Sequence, residues 1–582
     1  LKKAWLQNEP SEESFLPASL VRKKVSRDEW IQRVLLVLML ATLAIGGLLP
    51  LIDLFGKALV NEAGTFIGFT NFVTYFSTPA LARSLGNTLY ISAVTTAVSV
   101  TFAFLYAYAL HRTAIKGKAF FKYIALLPLF APTMMHGIAL TYLFGNQGIV
   151  TNGFFGLLPA GIDIHLYGLV GIILAEIMYT FPQAFLILSV SLAVADYTLY
   201  EAADTLRAGR MRTFLTVTLP GVKYGLISAL FVVFTLSFTD FGAPKIVGGQ
   251  YNVLATDIYK QVIGQQNMAM GATVGMILLV PALLAFVVDR LAERKQGAFI
   301  TAKSKPYRLD KKPVRDTIYA VYCLLIAAGI LVVLGAVLLA ALVKVWPYDL
   351  SITLAHFDFT NVAGEGLTPY WNSLLVAGIS AVIGTVVTFT NAYLIEKTRV
   401  LPAVRQTGYF LSIMPMALPG LVIGLAYIFF FNNPGNPLSW MYGTVSILVL
   451  ANIVHFYSVA FITATSALKK LDKEFELVSE SMSVPFYKTF FRVTVPMTLP
   501  AIFEIAVYYF VNSMVTISAV IFLYAADLKL AAVAIVNMDD AGDIAPAAAM
   551  SVLILVTNIL ARLVYELITH SIQKRTNAWQ KR

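Results

Sequence analysis

The chain has 582 residues, of which 58% are hydrophobic and 13% charged, with a mean hydropathy of +0.75. That leaves too little polar surface to cover a soluble globule of this size, so the chain belongs in a lipid bilayer. Its net charge of +11 comes from cations gathered in alternate loops, which makes it a topology signal and leaves nucleic acid outside the expected partners.

Residues 1–33 are polar and charged, and no small-residue cleavage site follows a short apolar core, so the first span is expected to be retained. Stretches near twenty apolar residues, enough for a helix to cross about 30 Å of hydrocarbon, then lie at 34–55, 87–110, 120–144, 167–194, 220–243 and 270–289. Residues 291–316 turn basic and polar and read as a linker. Six further stretches follow at 317–345, 372–395, 407–431, 443–468, 498–524 and 546–570, before a polar tail at 571–582. The predicted fold class is all-α, a polytopic membrane protein of about twelve helices in two six-helix repeats, because unclosed strands would leave backbone groups unpaired in lipid.

Cations fix the expected orientation. Arg22, Lys23, Lys24, Arg27 and Arg33 precede the first span; Arg112, Lys116, Lys118 and Lys122 follow the second; Arg207, Arg210, Arg212 and Lys223 follow the fourth. The linker, the group Lys397, Arg399 and Arg405, the group Lys469, Lys470, Lys473, Lys488 and Arg492, and the tail with Lys574, Arg575, Lys581 and Arg582 continue the same side. Both termini are therefore expected in the cytoplasm. The lone Cys323 sits in an apolar helix and reads as a small packed side chain.

Two polar islands interrupt the apolar runs. The first reads Glu201-Ala-Ala-Asp-Thr-Leu-Arg-Ala-Gly-Arg-Met-Arg-Thr-Phe-Leu-Thr-Val-Thr-Leu-Pro220, and 276 positions later Leu477-Val-Ser-Glu-Ser-Met-Ser-Val-Pro-Phe-Tyr-Lys-Thr-Phe-Phe-Arg-Val-Thr-Val-Pro496 repeats its second half in register. Asn87-Thr-Leu against Asn372-Ser-Leu, and the pair Pro128 and Pro132 against the pair Pro415 and Pro419, extend the repeat, so the chain reads as two fused copies of one membrane unit. The prolines four apart remove amide donors and clash with the preceding turn, so both third helices should be kinked or broken. Pro128, Pro132, Pro415 and Pro419 then either line a passage or only bend the helices for packing. Gly271 and Gly275, like Gly420 and Gly424, have the spacing of close helix contacts.

Each island reads as helix, turn, helix, membrane. Ala202 and Ala203 give a surface of little bulk on which another protein can approach, and Glu201 and Asp204 offer carboxylates to its arginines. With Thr-Phe and Val-Thr-Leu-Pro downstream, the chain resembles, over essentially its whole length, the permease subunits of type I ATP-binding-cassette importers in their fused form. The resemblance implies that 196–220 and 472–496 are coupling loops, and that 34–290 and 317–570 are two permease transmembrane domains. It further implies two copies of a cytoplasmic ATPase, a periplasmic or extracellular substrate-binding protein, and a bacterial inner-membrane location. No Gly-x-x-x-x-Gly-Lys-Ser/Thr occurs in the chain, so no cofactor is expected here and ATP-Mg belongs to the partner.

The islands depart from the family pattern. The family's glycine, six residues after the glutamate, is here Arg207, with Gly209 two residues on; in the second island the glutamate's place is taken by Leu477, an alanine's by Ser479 and the glycine's by Ser483. Glu480 and Glu476 are the carboxylates left to serve the second docking site. Polar groups at span depth are His136, Glu176, Asp240, His455 and Glu504. At the 276 offset Glu176 matches Asn452 and Asp240 matches Thr516, so these four either line the pathway or hydrogen-bond between helices; no ligand spacing points to a metal.

The segment from Thr239-Asp-Phe-Gly-Ala-Pro to Tyr259 is similar to the iron(III)-type branch of these permeases, which includes phosphonate and sugar-phosphate importers. The stretch 537–550, with Asp539, Asp540 and Asp543, is similar to 2-aminoethylphosphonate permeases. An organophosphonate is thus the expected solute, with ferric ion or a sugar phosphate as the alternative. An ion-coupled secondary transporter is the reading from another class, and the two islands speak against it.

Overall fold

The computed structural model describes residues 25–156, 161–193, 197–297, 307, 309–361, 366–472 and 474–580. Most of the N-terminal segment with Arg22, Lys23 and Lys24, the linker positions 298–306 and 308, the island positions 196 and 473, and Lys581 and Arg582 lie outside them.

Among the described residues eight continuous helices are long and apolar enough to span a bilayer: Arg27–Ala58, Pro79–Arg112, Leu169–Ala193, Met268–Leu291, Pro313–Leu342, Thr368–Lys397, Val445–Lys469 and Ile544–Ser571. Four bent pairs bring the total to 12 if each counts as one span. The chain is an all-α polytopic membrane protein; among the described residues one short hairpin of strands, Val343–Val345 and Asp349–Ile352, follows the seventh span.

Proline chemistry places the breaks. In the third span Pro128 sits in a 3₁₀ turn, and Ala131, which precedes Pro132, is forced out of the helical region to φ −103°, ψ 143° before a new helix starts at Thr133. The halves of that span meet at 103°. In the ninth span Pro415 sits in the matching 3₁₀ turn, Leu418 before Pro419 is extended in the same way, and the halves meet at 113°. Pro132 and Pro419 are themselves outside the helices, at φ −58° with ψ 146° and 141°, so each ends a helical half instead of kinking a continuous helix. At the fifth and eleventh spans, Pro220 and Pro496 follow π turns, Phe214–Thr218 and Phe490–Thr494, and the chain then bends by 66° and 78° into Lys223–Thr239 and Leu499–Val515. These helices are shorter than the apolar runs: the second ends at Val515, and 516–524 continue as turns where the sequence suggested helix.

The same logic explains the first span. Pro50 cannot donate to the carbonyl of Gly46, and the helix passes through a π turn, Ala44–Leu48. Tyr427 of the second half donates its hydroxyl to that carbonyl at 2.6 Å, which satisfies a backbone group that lipid cannot. A side chain at Gly46 would press on Val454, so glycine there permits the close approach.

The first spans are exchanged between the halves. Arg27–Ala58 packs on the eighth and ninth spans, and Pro313–Leu342 packs on the second and third. Tyr322 donates to the Phe102 carbonyl at 2.8 Å, and Trp346 to that of Gln147 at 2.9 Å. Hydroxyls in the second span largely satisfy themselves: Thr88, Ser92 and Thr96 each donate to the carbonyl four residues back. Thr88 also accepts from the Leu254 amide, and its repeat partner Ser373 accepts from that of Ala531, so the Asn-Thr and Asn-Ser pairs anchor the short helices Leu254–Tyr259 and Ala531–Ala541.

Candidate functional site

The islands fold as copies. Helices Thr198–Thr205 and Glu474–Ser481, then Arg210–Thr213 and Phe486–Thr489, then the two π turns, each begin and end at positions 276 apart. Each first helix closes on a residue in the left-handed region: Arg207 at φ 52° and Ser483 at φ 54°. Ala208 donates back to the Ala203 carbonyl at 2.9 Å and Val484 to that of Ser479 at 2.8 Å, the closure that usually selects glycine. The turn is thus made at the substituted position, whereas Gly209 has φ −64° and needs no glycine.

Glu201, Ala202, Asp204 and Arg207 are exposed, whereas Ala203 is buried on the inner face of its helix. Apolar side chains are exposed at matching places: Leu206 with Met482, Met211 with Tyr487, and Leu215 with Phe491. In the second island Glu480 is exposed and Ser479 accepts from the Thr489 hydroxyl at 2.8 Å. Glu476 is turned inward, with Lys397 Nζ 3.3 Å from its carboxylate.

Lys397 ends the eighth span and donates to the Leu471 carbonyl at 3.0 Å. Its counterpart Arg112 ends the second span and donates to the Leu192 carbonyl at 2.8 Å. Both cations sit at a helix C-terminus, where orphan carbonyls favour positive charge. The position of Glu476 is held in the first half by Tyr200, whose ring lies 5.6 Å from the Arg112 guanidinium carbon and whose hydroxyl donates to Thr218 Oγ1 at 3.0 Å. Residue-type motifs did not single out this pair; aligning the repeats, at 285 for the cations and 276 for the islands, would have found it.

The deep polar residues sit at equivalent heights. Glu176 and Asn452 are each the eighth residue of a 25-residue helix and fully buried. Glu176 faces the Asp240 and Ser237 side chains, although neither of its oxygens has a hydrogen bond of full directional geometry, and the Asn452 amide also lacks one. Asp240 and Thr516 end the fifth and eleventh helices, and Asp240 Oδ2 accepts from the Ala243 amide at 2.9 Å, capping Gly242–Val247. His136 is buried and His455 half-buried, whereas Glu504 is exposed and accepts from Tyr565 at 3.4 Å.

The proline rings are packed inside the protein. Pro128, Pro132, Pro415 and Pro419 are all buried, and each pair breaks the backbone of its span. Those breaks pack on the residues that follow the fifth and eleventh helices. A side chain at Gly242 would strike the Thr133 hydroxyl, and one at Gly420, directly after Pro419, the Ser518 hydroxyl.

At the end of the bundle away from the islands, Lys245 Nζ meets Asp540 Oδ1 at 2.6 Å and ties one half to the other. Lys245 also lies 5.2 Å from the Tyr259 ring centre. Beside it opens a cleft of about 210 Å³ lined by Tyr251, Asn252, Tyr259 and Lys260.

Comparison with known proteins agrees with this architecture. Residues 391–574 match the family model "Binding-protein-dependent transport system inner membrane component". A probable sulfate transport system permease protein of Prototheca wickerhamii is 30% identical over 251 residues, which cover 92% of it and 41% of this chain. The chain belongs to this permease family. The permease is 29% identical over 504 residues to the ferric transport system permease protein FbpB of Actinobacillus pleuropneumoniae, covering 84% of this chain and 71% of that protein. A ferric transport system permease homologue from Haemophilus influenzae is also 29% identical, over 77% of this chain and 71% of its own length. This permease is thus a fused inner-membrane subunit of an ATP-binding-cassette importer, multi-pass, with ATP hydrolysis left to a partner and solute brought by a binding protein. None of these three relatives is named for phosphonate, and the organophosphonate expectation gains no support from them.

Proposed function

We propose that the permease forms the passage for ferric ion in an ATP-driven importer, that two copies of an ATPase dock on its two islands, and that both termini and the islands face the cytoplasm. ATP-Mg then binds the ATPases and no cofactor binds this chain. The observation that carries the docking reading is the position-for-position repetition of the islands' helices and turns, each with exposed apolar side chains beside an exposed carboxylate. Support for ferric ion comes from the two relatives named for ferric transport, each aligned over more than three quarters of the chain. Asp539, Asp540 and Asp543 at the entry end also suit a cation better than a phosphonate.

Force applied to an island passes through its π turn into the fifth or eleventh helix. Seventeen residues at 1.5 Å per residue carry it about 25 Å, to Asp240 or Thr516. Asp240 caps the helix that bears Lys245, so a tilt of the lever reaches the tie between the halves. Glu176, Asn452, Asp240 and Thr516 flank the passage, and the backbone broken at Pro128 and Pro132, and again at Pro415 and Pro419, bounds it.

The test is ferric uptake into proteoliposomes holding the permease, its co-purified ATPase and its binding protein. Uptake should stop when the ATPase's phosphate-binding loop is inactivated; uptake that persists on an ion gradient would make this a secondary transporter. Glu201→Lys should lower transport per ATP hydrolysed more than Glu480→Lys, because the first island keeps the fuller acidic face. Equal defects would overturn that asymmetry.

A further inference from the structure

Arg112 is the largest fully buried side chain of the described residues, at 2% exposure, and among those residues no carboxylate pairs with it. Its Nε has no hydrogen-bond partner. A buried guanidinium needs compensation, and aromatic faces provide it here. Besides Tyr200, the ring of Tyr307 lies 4.3 Å from the guanidinium carbon, well within cation–π range. Tyr307 belongs to the linker between the two halves. Its ring meets Tyr197 edge-on at 5.3 Å and Tyr200 at 5.0 Å, on either side of the start of the island helix Thr198–Thr205.

The second half solves the same problem with the ion pair of Lys397 and Glu476. Its island is also held from the first turn of a first span: Asp28 Oδ2 accepts from the Phe486 amide at 2.9 Å. Each island is therefore gripped at or just before the start of the span packed on its half, so the exchange of first spans extends to the islands.

We propose that Tyr307 is a positioning residue for energy coupling: its ring, stacked under Arg112 and wedged against Tyr197 and Tyr200, locks the first island helix to the end of the second span. The linker is then a working part of the first island and not a tether. The positional part stands on geometry alone; the coupling part rests on the docking reading above.

The test compares Tyr307→Leu and Tyr307→Phe in the full chain, with a spin label on a cysteine placed at Leu206 or, separately, at Met482; the native Cys323 is buried. Tyr307→Leu should raise label mobility at 206 and leave 482 unchanged, while Tyr307→Phe should match the unsubstituted protein because the face of the ring is retained. In the ATPase complex, Tyr307→Leu should lower solute moved per ATP about five-fold or more, with the ATPase still co-purifying. Unchanged mobility at 206, equal change at both labels, or a Tyr307→Phe defect as large as that of Tyr307→Leu would overturn the proposal. If the unsubstituted complex shows no coupling at all, the docking reading fails; if it couples and Tyr307→Leu couples equally well, the positioning role in coupling fails.

Discussion

Lys245 and Asp540, separated by 295 positions in the chain, form an ion pair of 2.6 Å that joins the two halves at the end opposite the islands. Lys245 is largely covered and Asp540 half exposed, so the pair is worth roughly 0.5 to 1 kcal/mol after solvent screening. That corresponds to about a two- to five-fold bias toward closure of this end. Asp540→Asn is expected to raise basal ATP hydrolysis of the complex by that factor, and adding Lys245→Met should raise it no further. Additive increases in a double-mutant cycle would show that the two side chains act separately.

The same end should titrate. Burial first, and then the adjoining Asp540 carboxylate, push the Asp539 carboxyl up to about 6, with Lys245 opposing. Burial likewise lifts Asp257 to about 6, against the Ser84 hydroxyl and Lys260. An unfolded aspartate titrates near pH ~4, so between pH ~4 and ~6 the folded state holds protons that the unfolded state has released. Stability from these groups is present in full below that window and is lost as pH rises through it. Melting temperatures of the solubilised protein should fall from pH 4.5 to pH 6.5 (roughly the span of that window), and Asp257→Asn with Asp539→Asn should flatten the slope. A slope unchanged in the double variant would refute the assignment.

Arg207 and Ser483 occupy a conformation that costs a non-glycine residue about 1–2 kcal/mol. Glycine removes that cost and returns about 0.5–1 kcal/mol in chain entropy. Arg207→Gly and Ser483→Gly should therefore each stabilise their island by about 0.5–1 kcal/mol, read as slower hydrogen exchange of the amides that close the turn, Ala208 and Val484. Arg207→Val should accelerate exchange in the same turn; protection gained with valine would remove the left-handed turn from the explanation.

The third-span breaks make one close contact in each half with the roles exchanged, Thr133 on Gly242 and Gly420 on Ser518. Gly420→Ser should crowd the second contact and destabilise by about 1–3 kcal/mol, seen as a lower melting temperature and weaker transport. Adding Ser518→Gly recreates the arrangement of the first half and should restore most of the loss. Failure of the second change to rescue the first would mean that Gly420 is required for something other than space.

Much of the fold was legible because its causes are local. Membrane spans follow from runs of apolar residues, and the breaks at 131 and 418 follow from Pro132 and Pro419 beside them. Bends before Lys223 and Leu499 follow from Pro220 and Pro496. Boundaries were less readable: the apolar run 498–524 contains the end of a helix at Val515, and nothing in its hydropathy marks the change to turns. Of the candidate site, the islands stood out as polar interruptions, but the inward turn of Ala203 and Glu476 did not, nor did the burial of the Pro132 and Pro419 rings, since the burial of a face depends on what packs against it.

Residue order alone carried the twelve-span, two-copy architecture and the polar islands, because hydropathy and proline geometry act within a few residues and self-similarity shows wherever the two copies kept the same residues in register. Only the tertiary structure decided that the first spans exchange halves, that Tyr427 answers the orphan carbonyl of Gly46, and that Lys245 meets Asp540. It also decided that Arg112 is sheltered by Tyr200 and Tyr307 where Lys397 is neutralised by Glu476. These are contacts between distant segments, and in a bilayer they are selected by close packing and by the need to satisfy buried polar groups, which no local pattern in the chain announces.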